Sequence, residues 1–512
     1  MPQLNVPTYC MEIEYADRAA PVPFFPAPLS QTGPLALGPL DPRFLVPLFS
    51  FPLLFRNRCT CATVVHSKMH PTFSWPWVEC QSAATAESWR ACAHRPLPSG
   101  PVYTPEEQSA SEIVYDDCFR SVERGLRSRP RTSTERTAFQ DRLVAAFSRF
   151  AASALGLESP AIDLIAQGFL PAGVEFARRA RHFDAALAMP EIVQACRNAW
   201  TAYGFQPLLD EPAHMTPSIV GYSLLYPYTD NYLDRRDASP AAKRLFCARF
   251  RRRLRGDHVP VRDAHEASIW ALAGMIESQY PRAHYPQVFE SLLAIHQAQE
   301  QSVAQLSAAQ SLSRDEILRI SCAKGGTSVL ADACLVRGWL TAQESQIAFD
   351  WGVLLQLGDD LQDIREDLRR GSATLFTRAA AAGIPLESLV IQLLNFSEAV
   401  GDGLDCLPTG STTLKNLLRM SWRSLIIAAV ANAPEFLSSA FLRELERSTP
   451  LRFAFLRARH RKLANRRGLF GAVFNALIEE TGEQVFAPNA GASCWESPAG
   501  CSPENVAETQ LA

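Results

Sequence analysis

The stretch Leu354-Leu355-Gln356-Leu357-Gly358-Asp359-Asp360-Leu361-Gln362-Asp363-Ile364-Arg365-Glu366-Asp367-Leu368-Arg369-Arg370-Gly371 sets five acids within nine positions, directly behind an apolar run. On a helix, Asp359, Asp363 and Asp367 recur every four residues and stack on one face, with Asp360 about one turn before Asp363. Like charges at that spacing repel by about a few tenths of a kcal/mol per pair in water, and by more in a cleft of low dielectric. A bound divalent cation would remove that penalty, which makes the run a candidate metal site.

The residues leading into this run read as helix. Thr341-Ala342-Gln343-Glu344 is a capping box, and an apolar stripe through Ile347, Trp351, Leu354, Leu355, Leu361 and Leu368 continues to Gly371, a terminator. One long helix is predicted. Ser313-Arg314-Asp315-Glu316 and Asp263-Ala264-His265-Glu266 are further capping boxes, and Ser239-Pro240 opens a helix that Gly256 closes. Alternating strand patterns joined by Asn-Gly or Asp-Gly turns are missing. The expected architecture is therefore an all-α bundle of about ten helices over residues 133–486.

The chain changes character near residue 130. Upstream, Pro21, Pro23, Pro26, Pro28, Pro34, Pro39, Pro42, Pro47 and Pro52 recur too often for a helix or a central strand. Residues 1–132 are expected to form a largely disordered extension with a short helix near 106–126, and 487–512 a disordered tail. With 512 residues, 47% hydrophobic and 20% charged, the chain can bury a large core. A formal net charge of −3 gives no whole-chain argument for nucleic acid. The 13 cysteines lack zinc-site spacing in sequence and read as reduced, mostly structural thiols. No stretch reaches the roughly 18 to 20 apolar residues of a membrane-spanning helix, and the amino terminus lacks the pattern of a secretory signal, so a cytoplasmic location is expected. The basic residues Arg452, Arg457, Arg459, His460, Arg461, Lys462, Arg466 and Arg467 suit either an exposed helix face or peripheral contact with an anionic membrane.

A second acidic motif lies upstream in Tyr226-Pro227-Tyr228-Thr229-Asp230-Asn231-Tyr232-Leu233-Asp234, where Asp230 and Asp234 stand one helical turn apart. Two such clusters on separate helices can face each other across a bundle. Magnesium takes six or so oxygen ligands and usually keeps waters or substrate phosphates among them, so a phosphorylated or diphosphorylated substrate is implied with it.

Two Asp-rich motifs on an all-α chain resemble the class I isoprenoid synthases. The downstream motif from Leu355 to Gly371 is similar to the second motif of squalene/phytoene synthases, and Asp359-Asp360-Leu361-Gln362-Asp363 also resembles the aspartate motif of chain-elongating prenyl diphosphate synthases. The upstream motif, with Phe169-Leu170-Pro171 and Glu175-Phe176-Ala177-Arg178-Arg179-Ala180-Arg181, resembles bacterial large-terpene synthases typified by tetraprenyl-β-curcumene synthase. The segment Ser321-Cys322-Ala323-Lys324-Gly325-Gly326-Thr327-Ser328 is similar in place to a helix break on the cavity wall of these enzymes; paired glycines also suit a close helix contact.

The resemblance implies a class I isoprenoid synthase-like bundle that uses Mg²⁺ to ionise a prenyl diphosphate. It implies Asp230, Asp234, Asp359 and Asp363 as catalytic residues, and Asp230, Asp234, Asp359, Asp360, Asp363 and Asp367 as the metal-binding set. Arg178, Arg181, Lys324, Arg365, Arg369 and Arg370 are the implied diphosphate contacts, and Tyr222, Tyr226, Phe349 and Trp351 are near enough in sequence to be cation-stabilising aromatics or core. The upstream motif lacks an adjacent Asp-Asp pair, which disfavours routine chain elongation. Three functions stay open: a terpene synthase that cyclises or rearranges the cation, a squalene/phytoene-synthase-like transferase that couples two prenyl diphosphates, and a non-catalytic α-helical binding or scaffold protein.

Overall fold

Hydroxyl and carboxylate caps start the helices at the predicted points. The side chains of Ser239, Asp263, Ser313 and Thr341 each accept a hydrogen bond from the backbone N–H three residues on. The computed structural model describes residues 70–127, 132–235, 238–465, 475 and 478, which all belong to one compact unit. Among them every regular element is a helix.

The chain runs through α1 (Trp75–Ala91), α2 (Pro105–Arg127), α3 (Ser133–Leu155), α4 (Ser159–Asp163), a π-helical turn at Leu164–Phe169, and α5 (Leu170–Phe183). Next come α6 (Met189–Leu208), α7 (Pro217–Asp234), α8 (Pro240–Arg255), α9 (Ala264–Gln279), α10 (Pro286–Ser302) and the short α11 (Ala304–Ser307). The carboxy-terminal part holds α12 (Arg314–Arg337), α13 (Ala342–Gln362), α14 (Ile364–Arg370), α15 (Leu375–Ala381), α16 (Glu387–Asp405), α17 (Thr412–Asn432), α18 (Ser439–Glu446) and α19 (Phe453–Asn465). No helix among the described residues is long and apolar enough to cross a membrane.

Helix α12 is buried along most of its length and packs against α1, α6, α7, α10 and α13. Two apolar clusters meet along it. Leu330 and Val336 join one, with Ile347, Leu354, Leu357 and Leu361 of α13, while Ala331 and Leu335 join the other, with Ile219, Val220, Leu224 and Leu225 of α7. The two acidic motifs thus sit on helices that flank α12 from different cores.

The spacing of α12 and α13 is set by glycine. A Cβ on Gly325 would stand 2.5 Å from the Gly352 carbonyl oxygen, and one on Gly352 would run into the Gly325 carbonyl. A Cβ on Gly326 would strike the fully buried ring of Phe349. The helix does not break at these glycines, contrary to one expectation. Their role is the other one predicted, close approach of two backbones.

Further differences follow from packing. The extension expected up to 132 is folded over Trp75–Ala91, where α1 buries Val78, Ala86 and Trp89 in the same core as α12 and α13, while α2 over Pro105–Arg127 matches the helix expected near 106–126. Residues 1–69 and 487–512 lie outside the described residues. The single helix expected from Thr341 to Gly371 bends at Asp363, whose backbone adopts φ −93 and ψ 7. At Asp263 the box is half made, since Glu266 accepts from the backbone of Arg262 and from Arg249 instead. Gln392 of α16 donates to the Trp89 carbonyl, which ties α1 down further.

Two predictions concern α12. Gly352→Ala should destabilise the protein by about 1–3 kcal/mol or more through overpacking, measured by chemical denaturation, whereas Gly274→Ala on α9, with open space at its Cβ, should cost nothing. The second concerns Asp332, which is 1% exposed and has neither carboxylate oxygen hydrogen-bonded. Burial pushes this carboxyl well above its ordinary value. The folded state therefore keeps a proton that the unfolded chain releases above about pH 4, and folding weakens as pH rises. Asp332→Asn removes that loss, so its melting temperature relative to the parent should climb between pH 4.5 and 8.5; an unchanged difference would contradict a neutral buried Asp332.

Candidate functional site

The two acidic motifs converge on the face of α12 that carries Ser321 and Lys324. Asp230 lies in the last two turns of α7, is 9% exposed, and stands 3.7 Å from Lys324 Nζ. Gln299 of α10 approaches the same carboxylate at 3.5 Å. Asp234 is the last residue of α7.

The downstream motif occupies the end of α13, the bend and α14. Asp360 is buried, accepts from Gln356 Nε2 at 2.8 Å and from Ser321 Oγ at 3.2 Å, and is thereby held against α12. Burial first, and then the charge of Asp359, push its carboxyl up to about 7. Asp367 is likewise pushed up to about 7, chiefly by burial and then by the charges of Asp360 and Asp363. Asp359, Asp360, Asp363 and Asp367 therefore crowd one another as their helical spacing predicts, even though the helix bends between them.

A residue not singled out in the sequence completes the site. Arg197 of α6 donates from one nitrogen to both oxygens of Asp359, at 2.8 and 3.0 Å. Its pKa is raised first by Asp359, with further contributions from Tyr226 and Asp363. Tyr226 of α7 is raised as well, chiefly by the charge of Asp230 and then by burial, while Lys324 and Arg197 pull the other way. Tyr226 thus lies within electrostatic reach of both motifs and both cations. A signal for Arg197 existed in the sequence: it is the sole charged residue between Ile192 and Leu208.

The other expected cations are placed differently. Arg181 donates to the backbone carbonyls of Ala185 and Leu187 at the end of α5, and Arg365 forms a bidentate pair with Glu435 beyond the bend, so both are spent elsewhere. Arg370 pairs with Glu366 at 2.6 Å and lowers the Asp367 carboxyl from a distance. Arg178 and Arg369 are exposed. Phe349 and Trp351 are core residues, the first packed on Trp77 and the second on Phe205 and Trp422. Tyr222 donates to the Ser328 carbonyl of α12. In the basic carboxy-terminal stretch, Arg452 pairs with Glu112 and Arg459 with Asp116 of α2.

An open cavity of about 460 Å³ lies between the π-helical turn, α6 and the start of α17, lined by Phe169, Tyr203, Pro207 and Leu414 among others. No residue of either acidic motif lines it. The acidic site itself offers hard oxygen donors from α7, α13 and α14 opposite two cations, an arrangement suited to a divalent cation and a polyanion together.

A double-mutant cycle tests the bridge between motifs. Arg197→Met and Asp359→Asn should be non-additive in stability, with a coupling of about 0.5–3 kcal/mol by denaturant unfolding; additive effects would mean that the pair contributes nothing. No protein-family model and no curated protein matches this chain, so the functional reading rests on the geometry of the site.

Proposed function

We propose that this protein is a Mg²⁺-dependent terpene synthase of the class I kind, which ionises a prenyl diphosphate and cyclises or rearranges the resulting cation. One observation carries the reading: carboxylates 129 positions apart, Asp230 and Asp359, stand at one place with Lys324, Arg197 and Tyr226 between them. A chain seldom gathers so many partly buried charges on helices of different cores for stability alone, because desolvation offsets most of what the ion pairs contribute.

The donor set fits the metal. It is all carboxylate oxygen, and burial, with neighbouring carboxylate charge after it, pushes two of its members, Asp360 and Asp367, up to about 7. Asp230, Asp234, Asp359, Asp360, Asp363 and Asp367 are the residues that would hold it. When bound, Mg²⁺ supplies Lewis-acid neutralisation of the leaving diphosphate.

The chain's own cations supply the rest. Lys324 and Arg197 lie between the motifs, where they attract the diphosphate and stabilise the charge that develops on it as the allylic carbon–oxygen bond breaks and its electron pair leaves with oxygen. Arg197 offers a planar fork suited to two phosphate oxygens once its hold on Asp359 loosens. Gln356 and Ser321 orient Asp360, and Gln299 orients Asp230.

Incubation with prenyl diphosphates of increasing chain length and Mg²⁺, followed by assay of diphosphate and hydrocarbon, tests the proposal. Asp230→Asn and Asp363→Asn should each lower diphosphate release at least about 100-fold with the helical circular-dichroism signal intact, while Arg365→Ala should leave it within about twofold. Absence of release with every chain length would overturn the enzymatic reading.

A further inference from the structure

Helices α8 and α10 pack together and bring three different metal-ligating side chains to one spot. Cys247 Sγ, a ring nitrogen of His296 and a carboxylate oxygen of Glu300 lie within 4.8 Å of one another. His296 and Glu300 are one turn apart on α10 and so share a face, which Cys247 of α8 meets. None of them belongs to the acidic motifs.

The histidine is held as a ligand is held. Its Nε2 lies 3.0 Å from the backbone oxygen of Cys247, which can only accept, so Nε2 carries the proton. Burial pushes the imidazole below its ordinary value and keeps the ring neutral. Nδ1 is then a bare lone pair, buried on a residue 2% exposed and without a hydrogen-bond partner. Leaving such a group unsatisfied costs about 1–3 kcal/mol. Metal-binding histidines use this pattern, one nitrogen donating to a carbonyl to fix the ring and the other ligating.

The surroundings complete the case. The Phe250 ring stands edge to face against His296 at 5.0 Å, an apolar wall that limits water. The Glu300 side chain is 25% exposed and gives a path from solvent, and Arg251 pairs with its Oε2, holding the carboxylate from outside. In a tetrahedral zinc site, bonds of about 2.0–2.3 Å put neighbouring ligand atoms about 3.5 Å apart, so side-chain movements of about an ångström close the set.

We propose that Cys247, His296 and Glu300 form a zinc site, with the Cys247 thiolate, His296 Nδ1 and a Glu300 oxygen as ligands and the fourth position open to water. On binding, the Cys247 S–H bond breaks, a sulfur–zinc bond forms and the proton leaves to solvent, with no change of oxidation state. A sulfur, nitrogen and oxygen set selects zinc over magnesium, so this site takes a different cation from the carboxylate cluster.

The test is metal binding by the full chain after chelator dialysis. Zn²⁺ titration should give one tight equivalent that raises the melting temperature, and Co²⁺ should give a thiolate charge-transfer band. Cys247→Ser should abolish the band, and Glu300→Gln, on the partly exposed side chain, should weaken zinc at least about 10-fold, the lower end of what loss of an outer partner alone costs. Asp363→Asn should leave both readouts unchanged. No tight equivalent, or a cobalt spectrum indifferent to Cys247→Ser, would overturn the site.

Discussion

Two backbones touch where Gly325 meets Gly352, and the site depends on that contact. With α12 and α13 this close, Gln356 lies over Gly325 and Ser321 reaches Asp360 across the interface. Lys324, the residue before the glycine pair, is then set between Asp360 and Asp230. Larger residues at these positions would part the helices and with them the two motifs, because protein interiors do not absorb a methyl group without strain.

Around that contact the fold solves an electrostatic problem. The seam between two apolar cores is a poor place for the five aspartates Asp230, Asp359, Asp360, Asp363 and Asp367, and the structure offsets their crowding with Arg197 and Lys324, while burial pushes the Asp360 and Asp367 carboxyls up to about 7. A magnesium–diphosphate pair would replace the protons of those two carboxyls and share the same cations.

Much of this was legible in the sequence. The capping boxes at Ser313 and Thr341, the closing glycine at Gly256 and the four-residue recurrence of Asp359, Asp363 and Asp367 are local signals, and they translate directly into helices and a shared face. What failed depended on tertiary packing. Arg365 follows a bend that periodicity does not reveal, and the bend turns it to Glu435. Arg197 could be seen as a lone charge on an apolar helix, but only the pairing of α6 with α12 and α7 brings it to Asp359. The helix Trp75–Ala91 was hidden by the prolines before it, although Ser74 and Pro76 mark its start. Cys247, His296 and Glu300 are brought together by the packing of α8 on α10, which no spacing in the chain announces.

The proposed function requires one polyanion site between the two aspartate motifs. Diffraction from crystals soaked in Mg²⁺ and inorganic diphosphate tests it most directly. Diphosphate should appear between Asp230 and Asp359, contacting Lys324 and Arg197, with metal density shared by carboxylates of both motifs. Diphosphate bound elsewhere, or metal held by one motif alone, would contradict it.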